Sequence, residues 1–282
     1  MQSDFLGRMA AASARRVEVA KARESEAALR RRALSAAHPP LLSVRPDRFD
    51  LMAEYKRRSP SMGALGVGRG AAVSVRDQVT AYTKGGAAAI SVLTEPDEFD
   101  GALSDLSDTV RATHVPVMRK DFLVDPYQVF EARAAGAAGV LFILRILEDA
   151  QVHELLDAAA ETGMFVLLEA FDKADLARAK SAALRCQRLR ITTLVGLNAR
   201  NLKTLKTERE RFVCLSEHLP RDLPRVAESS LRSAEDARYV AELGYNVALV
   251  GTALMRAPDP AGVTRAMIAA GRDAVGTPCA SV

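Results

Sequence analysis

Residues 138–169 read AGVLFILRILEDAQVHELLDAAAETGMFVLLE, and this stretch holds one complete structural unit. Ala138–Leu144 is an apolar run of buried-strand length, and Met164–Glu169 is a second. Between them, Glu148–Thr162 reads as a helix that stops at Gly163. Two apolar strands joined through a helix make a parallel pair, because parallel neighbours need a crossover connection.

The same unit recurs on both sides. Strands are expected at Leu51–Tyr55, Ala88–Leu93 and Val115–Met118 before it, and at Thr193–Leu197, Arg225–Glu228 and Asn246–Gly251 after it. Helices are expected at Val75–Lys84, Pro126–Ala135 and Ala234–Leu243, with glycine stops at Gly85-Gly86, Gly136 and Gly244. Asp125 before Pro126, and Ser233 before Ala234-Glu235-Asp236, are N-cap signals. Regular alternation of this kind builds a parallel sheet covered by helices, the α/β class. Eight strands suit a closed (β/α)8 TIM barrel, although counting alone also permits an open doubly wound sheet. Residues 1–50 read as an N-terminal helical extension, helical to about Ala37 and broken at Pro39-Pro40. The barrel is expected over 51–272, with a C-terminal tail at 273–282.

The composition agrees. The chain has 282 residues, 49% hydrophobic and 26% charged, enough apolar surface for one large core. No run approaches the roughly 18 apolar residues of a membrane span. Cys186, Cys214 and Cys279 form no CxxC pair, and His38, His114, His153 and His218 are scattered, so no metal site is expected. An odd, sparse cysteine set suits a reducing compartment, and the cytoplasm is the expected location. Residues 1–40 hold eight Arg/Lys against four Asp/Glu, which equals the whole chain's net charge of +4. Nucleic acid is not expected as a partner: Phe5 is the arm's only aromatic, so it has no stacking platform. A helical arm packed on the barrel is the simpler reading.

Charged residues collect at the carboxyl ends of the strands, where barrels keep their chemistry. Side chains alternate along a strand, so Met52 shares a face with Glu54 and Lys56, Met118 with Lys120, Leu167 with Glu169, and Val226 with Glu228. If the first member of each set fills the barrel, the second projects into its mouth. A single charge at a strand end is usually just solvated. Here Glu54, Glu169 and Glu228 converge with Lys56, Lys120 and Arg200 from five strands, which points to acid–base work on an anionic substrate. A lysine among other cations can have its pKa lowered, and a desolvated glutamate can have its raised. The turns Glu228-Ser229-Ser230 and Gly251-Thr252 fall where barrels hold a phosphate on backbone N–H groups. Gly66-Val67-Gly68-Arg69-Gly70-Ala71 matches GxGxxA but lies about eleven residues past its strand, so it reads as a loop over the mouth rather than a nucleotide site.

At these residues the sequence resembles the indole-3-glycerol phosphate synthase family of tryptophan biosynthesis. The resemblance is carried by Ala53-Glu54-Tyr55-Lys56-Arg57-Arg58-Ser59-Pro60-Ser61, Ala89-Ile90-Ser91-Val92-Leu93-Thr94 and Pro116-Val117-Met118-Arg119-Lys120-Asp121-Phe122. It continues through Asp125-Pro126-Tyr127-Gln128, Glu131–Ala137, Asn198-Ala199-Arg200-Asn201-Leu202 and Leu254-Met255-Arg256, in the family's order. It implies closure of 1-(2-carboxyphenylamino)-1-deoxyribulose 5-phosphate to indole-3-glycerol phosphate with loss of CO2 and water, and no cofactor. By resemblance, Lys120 is the general acid at the substrate carbonyl and Glu169 the carboxylate of the dehydration. Lys56 is the second lysine, paired with Glu54. Asn198, Glu228 and Ser229 orient the substrate, and Ser59, Arg200, Ser230, Gly251 and Thr252 surround its anionic groups.

Three departures stand out. Ser230 occupies a position where the family usually has glycine, which matters if the backbone there needs φ > 0. The connection Ala179–Thr192 is longer and more basic than usual and lacks Gly-Ala, and the loop Met62–Gly70 lacks the usual charges. The alternatives are a diverged paralogue with the same chemistry in a secondary pathway, another phosphate-binding barrel such as a sugar-phosphate isomerase, or a non-catalytic barrel serving as an interaction subunit. Association with other enzymes of the pathway is not legible in the residues.

Overall fold

A computed structural model of the chain describes residues 5–59, 63–65, 74–201, 204 and 206–275. Eight parallel strands occupy the expected places: β1 (Asp50–Tyr55), β2 (Ala89–Leu93), β3 (Val117–Lys120), β4 (Gly139–Ile143), β5 (Phe165–Ala170), β6 (Thr193–Asn198), β7 (Arg225–Glu228) and β8 (Val247–Val250). Each pairs with the next in sequence. β1 pairs with β2 through Met52↔Ala89 and with β8 through Asp50↔Val247, which closes the ring and excludes the open sheet. A short antiparallel pair, Arg58–Ser59 with Gly63–Ala64, follows β1.

Strand alternation sorts the core into two shells. Met52, Met118, Leu141, Phe165, Leu167, Leu194, Val226 and Leu249 belong to the cluster that fills the barrel. Their neighbours, such as Leu51, Ala53, Val140, Val166 and Val195, pack outward under the helices. One position shows how tight the interior is: a Cβ on Gly139 would fall inside the Phe165 ring. Burying both faces of every strand supplies most of the driving force, at about 25 cal/mol per Å² of apolar surface.

The caps behave as local chemistry dictates. Asp125 accepts from Tyr127 N at 2.8 Å ahead of the helix Pro126–Ala134, and Ser233 forms a capping box with Asp236 ahead of the helix Ala234–Glu242. Two expectations change. The third strand starts and ends two residues late, because Pro116 has no N–H to pair and contributes only its carbonyl, to Ile90 N. Lys120 therefore ends the strand instead of following it. The connection Ala179–Thr192, given no helix above, is helical for most of its length: the helix Lys173–Leu189 runs through it, and Arg190 closes it at φ 59°, in the place a glycine would take.

The extension also differs from the single helix expected. Ser25 caps a second helix, accepting from Ala28 N, so the arm divides into α1 (Phe5–Arg23) and α2 (Glu26–Ser35). Tyr127 Oη donates to the Ala20 and Glu24 carbonyls, and Leu29 and Ala33 are fully buried, so both helices dock on the barrel. At the other end the helix Pro260–Val275 runs past the boundary expected at 272. The glycine-rich stretch 66–71, Pro60-Ser61 and Cys279 lie outside the described residues.

Candidate active site

The carboxyl ends of the strands open into a cavity of about 550 Å³, within the ~300–1,000 Å³ typical of small-molecule sites. Eleven of the twelve expected residues line it: Glu54, Lys56, Lys120, Glu169, Asn198, Arg200, Glu228, Ser229, Ser230, Gly251 and Thr252. Ser59 does not. It is buried in the short pair after β1, opposite Gly63, three residues beyond Lys56 and off the cavity wall.

Lys120 is the hub of the charged wall. Its Nζ lies 3.1 Å from Glu228 Oε2 and 4.0 Å from Glu169 Oε1. Lys56 Nζ lies 2.5 Å from Glu54 Oε1. Asn198 links two strands: its Nδ2 donates to Glu169 Oε1 at 2.5 Å, and its Oδ1 accepts from Ser229 Oγ at 2.9 Å and from Arg200 N at 3.0 Å. The carboxylates fit only because two neighbours lack side chains. A Cβ on Gly196 would collide with Glu228 Oε1, and one on Gly251 with Glu54 Oε1.

The electrostatics follow from three buried glutamates, Glu54, Glu169 and Glu228, sharing one space. Glu228 is buried, and burial together with the Glu169 charge pushes its pKa up to about 8, against the opposing pull of the Lys120 ammonium. Its Oε1 has no hydrogen-bond partner among the described residues. Burial also pulls Glu54 upward, but the Lys56, Lys120 and Arg200 charges outweigh it and keep the group below the ordinary carboxylate value. Lys120 departs from the lowered pKa considered for a lysine among cations. Burial does pull it down, yet Glu169, Glu228 and Glu54 together raise it, because carboxylates outnumber cations around its Nζ. It is a firmly charged ammonium, able to give a proton and promptly regain one.

Apolar side chains complete the lining beside the charged ones: Phe5 and Leu6 of α1 with Leu93, Phe99, Phe122, Ile143 and Phe171, where Leu93 pairs with Lys120 and Ile143 with Glu169 along the sheet. Strand alternation could have flagged Phe122, two residues beyond Lys120. No sequence signal brings in Phe5, which comes from the arm. The turns after β7 and β8 complete the cavity's lining with Ser229, Ser230, Gly251 and Thr252. Ser229 and Ser230 adopt φ 69° and 62°, a left-handed conformation that L residues enter at a cost of about 1–2 kcal/mol each. A glycine at position 230 would have no such cost. Among the described residues no group of three His, Cys, Asp or Glu side chains could hold a metal ion.

A family model described as indole-3-glycerol phosphate synthase matches residues 6–267. Curated relatives carry the same description: one from Leifsonia xyli is 44% identical over 218 residues, covering 77% of this chain and 79% of its own. Another, from Parafrankia, is 40% identical over 250 residues and covers 88% of both. Among solved structures, thiamine phosphate pyrophosphorylase from Pyrococcus furiosus superposes with a TM-score of 0.56 at 15% identity, over 82% of this chain and 99% of that one. A Yersinia pestis dihydropteroate synthase gives 0.56 at 18% identity, over 82% and 96%. These two share the fold alone.

Proposed function

The chain belongs to the indole-3-glycerol phosphate synthase family, the carboxy-lyases of tryptophan biosynthesis, and from that premise we propose how its mouth carries out the ring closure. The substrate is a phosphorylated small molecule, 1-(2-carboxyphenylamino)-1-deoxyribulose 5-phosphate. Its aromatic ring fits the phenylalanine-lined wall, and its phosphate fits the backbone N–H groups of the Ser229-Ser230 and Gly251-Thr252 turns.

In the first step the ring carbon bearing the carboxylate attacks the ketone, and the oxygen gains charge. Lys120 faces this oxygen and protonates it, and the neutral Glu228 carboxyl 3.1 Å away can return the proton to the lysine. Loss of CO2 then restores aromaticity, so the protein need only hold the carboxylate in place, a task for Lys56 and Arg200. Dehydration breaks the carbon–hydroxyl bond and removes a proton from the adjacent carbon of the new ring. Glu169, oriented by Asn198, is the proton-transfer group for this step, with Lys56 opposite. Glu54 holds the Lys56 ammonium. A cytoplasmic setting goes with the sparse cysteines, of which Cys186 and Cys214 are free thiols.

The observation that carries this reading is Lys120, an ammonium held between Glu169 and Glu228 in a cavity lined by both charged and apolar side chains. The test is indole fluorescence on mixing the protein with the substrate, beside a Lys120→Ala variant. Signal from the wild type alone supports the assignment. Equal signals from both remove Lys120 from the chemistry, and silence from both overturns the reading.

A further inference from the structure

We propose that Arg16 of the N-terminal arm is a positioning residue for the aromatic end of the substrate, clamping three phenylalanines of the cavity wall with one guanidinium. The inference rests on the substrate reading above. Arg16 Nη1 lies 3.4 Å from Glu95 Oε1 and 3.4 Å from Asp97 Oδ2, and its Nη2 lies 3.3 Å from Asp121 Oδ1. Glu95 and Asp121 are both buried.

Each of those two carboxylates also holds the backbone of a wall residue. Glu95 caps the short helix Pro96–Phe99, and its Oε2 accepts from Phe99 N at 3.2 Å. Asp121 Oδ1, the oxygen that faces Arg16, accepts from Phe122 N at 2.9 Å. The third phenylalanine is on the arm itself. Phe5 precedes Arg16 by about three turns of α1, so the two share a face, and its ring packs edge-on against Phe122 at 6.1 Å between centroids. Phe99 and Phe122 are 6.3 Å apart. Arg16 thus ties the roots of Phe99 and Phe122 to the helix that delivers Phe5.

The planar fork of arginine suits this task, since it can reach two carboxylates at once where a lysine would offer a point charge. Arg16 is not what keeps the arm docked. Gln128 Nε2 donates to Ser13 Oγ at 2.8 Å, Lys21 pairs with Asp125 at 2.7 Å, and Arg30 pairs with Glu161. Lys21 therefore provides a control: an ion pair between the same helix and the same barrel, with no wall residue attached to it.

The experiment compares kcat and KM of the full-length wild type, Arg16→Ala, Arg16→Lys and Lys21→Ala, each shown to be folded by circular dichroism. Arg16→Ala is expected to raise KM about tenfold with kcat changed less than about threefold, because the wall binds the ring and takes no part in proton transfer. Arg16→Lys should fall between it and the wild type, and Lys21→Ala should match the wild type. An unchanged KM in Arg16→Ala overturns the proposal, as does an equal rise in Lys21→Ala or a loss confined to kcat. A wild type that forms no indole would instead overturn the substrate reading.

Discussion

Lys120 Nζ sits 3.1 Å from Glu228 Oε2, and both side chains are withdrawn from solvent at the floor of the mouth. A general acid at a developing alkoxide is worth ~10²–10⁴ in rate. Lys120→Ala should therefore cut kcat by about a thousandfold. It should also leave Glu54, Glu169 and Glu228 facing one another without their central cation, so the variant should lose thermal stability as pH rises from 5 to 9. Turnover by indole fluorescence and melting curves across that range check both statements.

Glu228 sets the alkaline limb. Its pKa is raised to about 8 from an ordinary 4.5. Above pH 8 it ionises and adds negative charge to a site for a carboxylated, phosphorylated substrate. The wild-type kcat/KM should fall with a midpoint near pH 8, and Glu228→Gln should lack that limb at a lower plateau.

The same shift predicts stability with a definite sign. Between pH 4.5 and about 8 the folded protein keeps a proton on Glu228 that the unfolded chain has released, so stability falls across this window and is level above it. Glu228→Gln should melt higher than the wild type at pH 8 and show little gain at pH 4.5. An equal gain at both values would place the effect in packing.

Ser230 is strained at φ 62°. Ser230→Gly removes the clash of a left-handed Cβ but adds freedom to the unfolded chain, so the net gain should be below about 1 kcal/mol, a rise in Tm of about 2 °C. KM should stay the same or fall. Ser230→Val, branched at Cβ, should lower Tm and raise KM.

Gly196 is the space into which the Glu228 carboxylate folds. Gly196→Ala should displace Glu228 from Lys120, costing about 1–3 kcal/mol of stability by overpacking and about tenfold in kcat. Retention of the alkaline limb near pH 8 in this variant would show that the carboxylate had not moved.

Much of this site was legible before any coordinates. Period-two alternation put Met52 with Glu54, Met118 with Lys120, Leu167 with Glu169 and Val226 with Glu228, and the barrel places those pairs in core and mouth as expected. The alternation weakens where backbone pairing depends on partners elsewhere. Pro116 moved the third strand two residues along, and Ser59 turned into a separate antiparallel pair.

The sequence by itself determined the eight βα units, the face of each strand that is apolar, and the charged residues at the ends of five strands. These follow from the chain's own geometry, since neighbouring side chains point to opposite sides of a strand whatever surrounds it. Only the tertiary structure decided closure of the ring, the raised pKa of Glu228 and the arrival of Phe5 and Arg16 at the mouth. Closure requires the first strand to meet the eighth, some 200 residues away, as Asp50 meets Val247. A raised pKa requires charges from different strands to share a space without water. The arm's contribution depends on a helix more than a hundred residues from Asp121 docking where its guanidinium meets that buried carboxylate, a relationship between surfaces that no local pattern records.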